Sequence, residues 1–261
     1  SVEHVRLAER ADIVVVAPAS AHTMARLALG LADDMLTTTV LATKSPIVLA
    51  PAMNVNMWQN EATQGHVARL RERGATFVGP VQGRLATGLV GLGRLADVEE
   101  ILGTIKLVLG RKGDLAGRSL VVTAGGTQEP IDAVRVITNR SSGKMGYALA
   151  TAARDRGANV TLISAPTALP SPVGVNVVPV RTAAEMREAV LSAVSGADAL
   201  LMAAAVADYR PAQAVADKIK KEAADKLTLS LVRTADILAE VPHTLVKVGF
   251  AAEPGDTLLE R

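Results

Sequence analysis

The chain has 261 residues, 49% of them hydrophobic, with no Cys and a formal charge of +2. That is enough for two modest cores, excludes a disulfide framework, and with no basic block or aromatic ladder disfavours nucleic-acid binding. The longest apolar stretch, Ala197–Ala207, is too short to span a bilayer and no signal peptide is visible, so a cytoplasmic protein without a membrane partner is expected.

The first unit is expected over residues 1–109. Ser1 sits in what reads as the middle of a helix, and Gly255–Arg261 stops as another helix begins, which predicts a piece of a longer chain. Ile13–Ala17 reads as a strand, Ala21–Leu31 as a helix, and Asp34–Thr43 as a second helix capped by Asp33. Pro46–Ala50 is a strand ending in Pro51-Ala52-Met53-Asn54. Glu61–Arg73 is an amphipathic helix closed by Gly74, followed by a strand at Ala75–Val78. Gly79–Gly93 reads as a glycine-rich loop, and Asp97–Leu109 as the last helix.

Residues 110–116, GRKGDLA, have the polar, glycine-bearing composition of a linker. The second unit covers 117–261. Its expected strands are Ser119–Thr123, Asn159–Ile163, Val175–Pro179, Ala199–Ala203, Leu227–Leu231 and Val246–Phe250, with helices between several of them. Apolar strands alternating with Ala-rich helices make this an α/β, doubly wound pattern, whose ligands gather beyond the carboxyl ends of the strands. Polar and aromatic residues collect there: Gly125-Gly126-Thr127 after the first strand, Ala204–Asp208 after the fourth, Phe250 after the last, and Thr234 with Asp236 opening a short helix.

The richest stretch is Thr123–Gly146, TAGGTQEPIDAVRVITNRSSGKMG. Gly125, Gly126 and Thr127 supply a tight turn whose N–H groups suit an anion. Asn139, Arg140, Ser141, Ser142 and Gly143 add donors ahead of the helix from Lys144 to Arg156. A single Ser-capped helix after a turn would be commonplace; two polar loops flanking one strand end favour a nucleotide.

With these residues in place, the chain resembles the bifunctional bacterial coenzyme A biosynthesis flavoproteins, phosphopantothenoylcysteine decarboxylase fused to phosphopantothenate–cysteine ligase. The matching stretches are AGGTQEPIDAVRVITNRSSGKMG, MAAAVADYRP, DKIKK, TADIL and VGFAAE in the second unit, and HVRLAERAD, APASAHT, GLADDML and PAMN in the first. The resemblance implies a partial flavodoxin-like or Rossmann-like flavoprotein domain followed by a mainly parallel-sheet ligase domain, within a family whose chains are longer at both ends.

For the second unit it implies CTP-dependent joining of 4′-phosphopantothenate to cysteine through an acyl cytidylate. No enzyme nucleophile is needed, so positioning and charge neutralisation dominate. Lys218 in DKIKK matches the lysine that forms the cytidylate, and Asn139 the asparagine of the second half-reaction. By itself KIKK is a solvated loop and Asn139 a turn residue; the ten-residue spacing from Asp208 to Lys218 within the match argues otherwise. Asp208 matches the nucleotide-site aspartate, with Mg²⁺ as a further possibility. Met202, Ala203, Ala204, Ala235, Asp236, Ile237, Leu238 and Phe250 are implied to line the CTP site. Pro211–Lys226 is expected to be a flap over the triphosphate. Two further CTP lysines of the family fall beyond Arg261. Ligase-domain dimers and flavoprotein-domain trimers are implied.

For the first unit the resemblance implies FMN-dependent decarboxylation of 4′-phosphopantothenoylcysteine by way of a thioaldehyde. His4 matches the catalytic base. Ser20, Ala21, His22, Thr23 and Ala52 match flavin contacts, and Asn54 the residue holding the substrate carboxylate. Taken alone, His4 reads as a surface residue and PAMN as a strand-to-helix turn. Thr87 stands where the family carries a proton-donating Cys, and Leu89 where an acidic residue is frequent. A hydroxyl is a far weaker acid than a thiol, which leaves open a ligase whose first domain is a degenerate oligomerisation scaffold. A non-catalytic flavoprotein-like binder is disfavoured by Asn139 and Lys218. A NAD-dependent oxidoreductase is disfavoured because the first βα turn lacks GxGxxG.

Overall fold

The computed structural model describes residues 2–85, 88, 90–220 and 227–251, and the chain folds as two compact units, residues 1–109 and 110–261. In the first, α1 (Glu3–Arg10) leads to β1 (Val14–Ala19), α2 (Ala21–Leu29), α3 (Met35–Ala42) and β2 (Ile47–Pro51). After α4 (Val55–Gln59) and α5 (Glu61–Glu72) come β3 (Thr76–Phe77), β4 (Val81–Arg84), β5 (Val90–Arg94) and α6 (Val98–Gly110). Strands β1, β2 and β3 form a parallel sheet in that order. Helices cover both of its faces, which is why Val48, Leu49 and Ala50 can be a continuous apolar run. Leu49 packs with Met24, Trp58 and Val67 on one side, and Val48 and Ala50 with Ile101 and Val108 on the other.

Two expectations for this unit are corrected. Gly79–Gly93 holds an antiparallel hairpin, β4 with β5; its glycines permit close approach, since a Cβ on Gly93 would lie 2.2 Å from the Met53 carbonyl oxygen. The cap of α3 is Asp34, not Asp33. Asp34 accepts from the Thr37 N–H at 2.8 Å, and Thr37 Oγ1 accepts from the Asp34 N–H at 3.3 Å, a reciprocal capping box. Asp33 pairs instead with Arg26. The Thr37 N–H and hydroxyl and the Arg26 guanidinium hold the Asp34 carboxyl at about 2, below its ordinary 3.8. A depressed folded-state value contributes stability above about 3.8 that is lost as pH falls toward about 2. Asp34→Ala is therefore expected to lower the melting temperature at neutral pH and to flatten its fall across that acid range, read by circular dichroism melts.

The second unit contains β6 (Ser119–Ala124), β7 (Gln128–Pro130), β8 (Val136–Thr138), α7 (Lys144–Asp155), β9 (Asn159–Ser164), β10 (Asn176–Pro179), α8 (Ala183–Ala193) and β11 (Ala199–Met202). It closes with β12 (Tyr209–Pro211), β13 (Leu231–Arg233), α9 (Ile237–Glu240) and β14 (Val246–Gly249). Five strands form a wholly parallel sheet in the order β10-β9-β6-β11-β14. Alternate residues of β6 feed opposite cores: Val121 packs with Met186, Val190 and Leu200, and Val122 with Ala150, Ala153 and Leu162. Strand order reverses between β6 and β11, so the carboxyl edge there is the switch point at which such sheets bind ligands.

The sixth strand expected at Leu227–Leu231 does not join this sheet. Leu231–Arg233 pairs antiparallel with β12 in a separate ribbon. The alternation Leu227-Thr228-Leu229-Ser230-Leu231 suits a half-exposed ribbon rather than a strand buried on both faces.

Helix α7 lies directly on β6. A Cβ on Gly146 would stand 2.5 Å from the Thr123 carbonyl oxygen and 2.6 Å from Ala124 Cβ. Gly146→Ala is expected to cost about 1–3 kcal/mol by forcing helix and strand apart, measured by denaturant unfolding. Among the described residues no helix is long and apolar enough to cross a membrane.

Candidate functional site

At the carboxyl ends of β11 and β14 the second unit opens a cleft of about 1080 Å³. Met202, Ala204 and Asp208 reach it from the end of β11 and the segment after it. Ala235, Asp236, Ile237 and Leu238 enter from the start of α9, Phe250 from the end of β14, and Asn139 from the segment after β8. Tyr209 and Arg233 line it as well; neither is among the expected site residues, although Tyr209 lies inside MAAAVADYRP and Arg233 directly precedes TADIL. Thr234 pins the wall, its hydroxyl donating to the Ala207 carbonyl at 2.6 Å and its N–H to the Asp208 carbonyl at 2.9 Å. Asp236 accepts from the Ala239 N–H at 3.1 Å and so caps α9. Phe250 is 47% exposed, an aromatic face available to a base. Asn139 is exposed and donates through Nδ2 to the Val206 carbonyl at 3.2 Å.

The two polar loops meet beside Asn139. Gly125, at φ 81°, takes the left-handed turn out of β6. Gly126 bridges Ala205 in parallel, with the Ala205 N–H donating to the Gly125 carbonyl at 2.8 Å. Pairing of the β6 and β11 tails thus continues past their strand ends. A Cβ on Gly126 would lie 2.8 Å from the Asn139 carbonyl oxygen, and one on Gly143 only 3.4 Å from the Gly125 nitrogen. Ser141 Oγ accepts from the Gly143 N–H at 3.3 Å, and Ser142 Oγ from the Lys144 N–H at 3.4 Å.

Thr127 departs from the expected role. Its N–H donates to the Ala205 carbonyl at 3.2 Å, and its buried Oγ1 accepts from the Ala207 N–H at 2.9 Å. It braces the cleft wall instead of offering a donor to an anion. Gly125, Gly126, Ser141, Ser142, Gly143 and Ala203 are likewise outside the cleft lining.

Lys218 is exposed and does not line the cleft. Its segment is tied to the turn between β7 and β8: the Val215 N–H donates to the Ile131 carbonyl at 3.1 Å, and the Ile219 N–H to Asp132 Oδ2 at 3.1 Å. Asp132 is 4% exposed. The Val134 N–H, with those of Arg135 and Ile219 and the Arg135 charge, draws its carboxyl down to about 2 against the opposing effect of burial. Of the expected flap, residues 221–226 lie outside the described residues. Among the described residues no cluster of three or more His, Asp or Glu is placed to hold a metal.

In the first unit, Ser20 caps α2 by accepting from the Thr23 N–H at 3.1 Å, and its hydroxyl lies 3.0 Å from Thr23 Oγ1. Ser20 and His22 are exposed, and Ala21 and Thr23 partly so, which leaves the N-terminal turn of α2 open beyond β1. The Ala52 N–H donates to the Ala19 carbonyl at 3.2 Å, joining the ends of β1 and β2. Asn54 caps α4 by accepting from the Asn56 N–H at 2.9 Å, leaving its amide nitrogen as a donor. Small side chains, an uncovered helix start and hydroxyl groups suit a phosphate-bearing group such as FMN. His4 is half-buried on α1, which packs against α3; among the described residues it makes no hydrogen bond to Ser20, His22 or Asn54. Thr87 and Leu89 lie outside the described residues.

Comparison with known proteins decides the family. The profile described as DNA/pantothenate metabolism flavoprotein C-terminal domain matches residues 115–260, and the profile described as flavoprotein matches residues 1–110. The chain belongs to the DNA/pantothenate metabolism flavoprotein family. Similar relatives include the coenzyme A biosynthesis bifunctional protein CoaBC of Mycobacterium bovis (strain ATCC BAA-935 / AF2122/97), 50% identical over 270 residues. Those of Vibrio vulnificus (strain YJ016) and Bacillus subtilis (strain 168) are 46% and 45% identical over 264 and 261 residues. Each alignment takes in 98% of this chain, whereas the chain spans only 64–65% of the length of these curated relatives. Each profile takes in one unit: the C-terminal-domain profile the unit that holds the cleft, and the flavoprotein profile the unit that holds the open start of α2.

Proposed function

We propose that the protein acts in coenzyme A biosynthesis, its second unit joining 4′-phosphopantothenate to cysteine at the expense of CTP and its first unit decarboxylating the product. The observation that carries the ligase reading is the gathering of Asn139, Asp208, Asp236 and Phe250 on one cleft. The substrate carboxylate attacks the α-phosphorus of CTP and pyrophosphate departs. The cysteine amine then attacks the acyl carbon and CMP departs. Phe250 packs on the base, Asp208 would hold a Mg²⁺ that offsets phosphate charge, and Lys218, whose segment must be brought to the cleft, neutralises charge on the phosphates. Asn139 Nδ2, with one hydrogen on Val206, has a second for the tetrahedral oxyanion of the amide-forming step.

In the first unit the open α2 start would hold the FMN phosphate, and Asn54 the substrate carboxylate. The flavin, when bound, accepts and returns the electrons that make CO₂ loss possible. His4 is assigned as the base, which requires the site to be completed around α1. A second reading is favoured by Thr87 in place of a thiol: a working ligase with a flavoprotein-like scaffold. Flavin absorbance in the purified protein together with CO₂ release from 4′-phosphopantothenoylcysteine would exclude the second reading. The main reading is tested by pyrophosphate release from CTP against ATP with 4′-phosphopantothenate; no release with either nucleotide would overturn it.

A further inference from the structure

We infer that Asp132 is a positioning residue for Lys218, acting through the backbone of Ile219; this rests on the ligase reading above. Asp132 sits in the turn between β7 and β8 with its carboxylate buried, and among the described residues its carboxylate is bonded at two places. Oδ1 accepts from the Val134 and Arg135 N–H groups at 2.8 and 2.7 Å, fixing the turn itself. Oδ2 accepts from Arg135 Nη1 at 2.6 Å and from the Ile219 N–H at 3.1 Å, gripping the chain one residue beyond Lys218. Arg135 Nη1 also reaches the Ile219 carbonyl at 3.4 Å, and Val215 is held on Ile131. Lys218 is thus suspended between two fixed backbone points while its own side chain stays exposed.

The same turn continues through β8 into Asn139. One short ribbon therefore registers both residues assigned to the two half-reactions, although they are 79 positions apart in sequence. A flexible lysine stem loses rate when its base is misplaced, because displacement of about 1 Å costs up to about 100-fold.

Asp132→Asn keeps the shape and the Oδ1 bonds but turns an amide NH₂ toward the Ile219 N–H and the guanidinium, donor against donor. In the full gene product, this variant is expected to lose about tenfold or more in kcat for pyrophosphate release, with little change in KM for CTP. Amide exchange should quicken at Ile219 and stay unchanged in β6 and β9. In a Lys218→Gln background the same change should cost no further rate, whereas a merely structural lesion would add to it. Replacing the Ile219 amide by an ester deletes the donor with every side chain retained, and should reproduce the kinetic loss even if Asp132→Asn fails to fold. Unchanged kcat in the ester variant, or additive losses in the double variant, would overturn the inference. Absence of CTP-driven release in the unmodified protein would instead overturn the ligase reading, leaving the exchange result to report on the tether alone.

Discussion

Lys218→Ala is expected to slow CTP-driven pyrophosphate release by about 10²–10³-fold while leaving the fold intact. The side chain is exposed and makes no hydrogen bond among the described residues, so its removal uncovers no buried partner and creates no cavity. What it removes is a cation that matters only when negative charge accumulates on the phosphates, and preorganised donors at developing charge carry effects of that size. The loss should fall on kcat more than on KM for CTP, because the residues proposed to hold the nucleotide, Asp208 and Phe250, line the cleft and Lys218 does not. Lys218→Arg should recover only part of the rate, since a planar fork does not replace a compact ammonium. Equal pyrophosphate release by Lys218→Ala and the unmodified protein would remove Lys218 from the mechanism.

Asn139→Ala is expected to separate the half-reactions. Pyrophosphate release should continue for about one turnover per site, while ligation to cysteine falls by about 10²–10³-fold. The amide is half engaged already: one Nδ2 hydrogen rests on the Val206 carbonyl at 3.2 Å, and the other has no partner among the described residues. Asn139→Asp should be no better than Ala, because a carboxylate would face that carbonyl oxygen without a hydrogen to share. Quenched-flow analysis would show acyl cytidylate accumulating in both variants. Loss of pyrophosphate release together with ligation would place Asn139 in the first step instead.

Motifs and periodicity made the α/β class legible because buried parallel strands must be unbroken β-branched runs, as in Ser119–Ala124. The cap of α3 lies one residue beyond the expected Asp33, since Asp33 and Asp34 are chemically alike and only the Thr37 geometry separates them. Leu227–Leu231 looked like a sixth parallel strand because length and apolarity do not reveal a strand's partner, although its alternation pointed to a ribbon. Glycine depresses strand propensity, so Gly79–Gly93 reads as a loop, while close approach to the Met53 carbonyl is what demands glycine at Gly93.

Local sequence alone determined the strands of the two parallel sheets and the longer helices, and where small, polar and charged groups accumulate, because backbone sterics and amphipathic periodicity act over a few residues. The resemblance to the coenzyme A biosynthesis flavoproteins, rather than local sequence, nominates Asn139, Asp208, Lys218 and Phe250 for the chemistry. Only the tertiary structure decided that Thr127 turns inward, that Arg233 and Tyr209 join the cleft, and that Asp132 holds the segment bearing Lys218. The first and last depend on hydrogen bonds between residues 80 and 87 positions apart, and the second on the pairing of Tyr209 with Arg233 across the β12–β13 ribbon. Such pairings are set by how layers close over a core, which no short stretch of chain encodes.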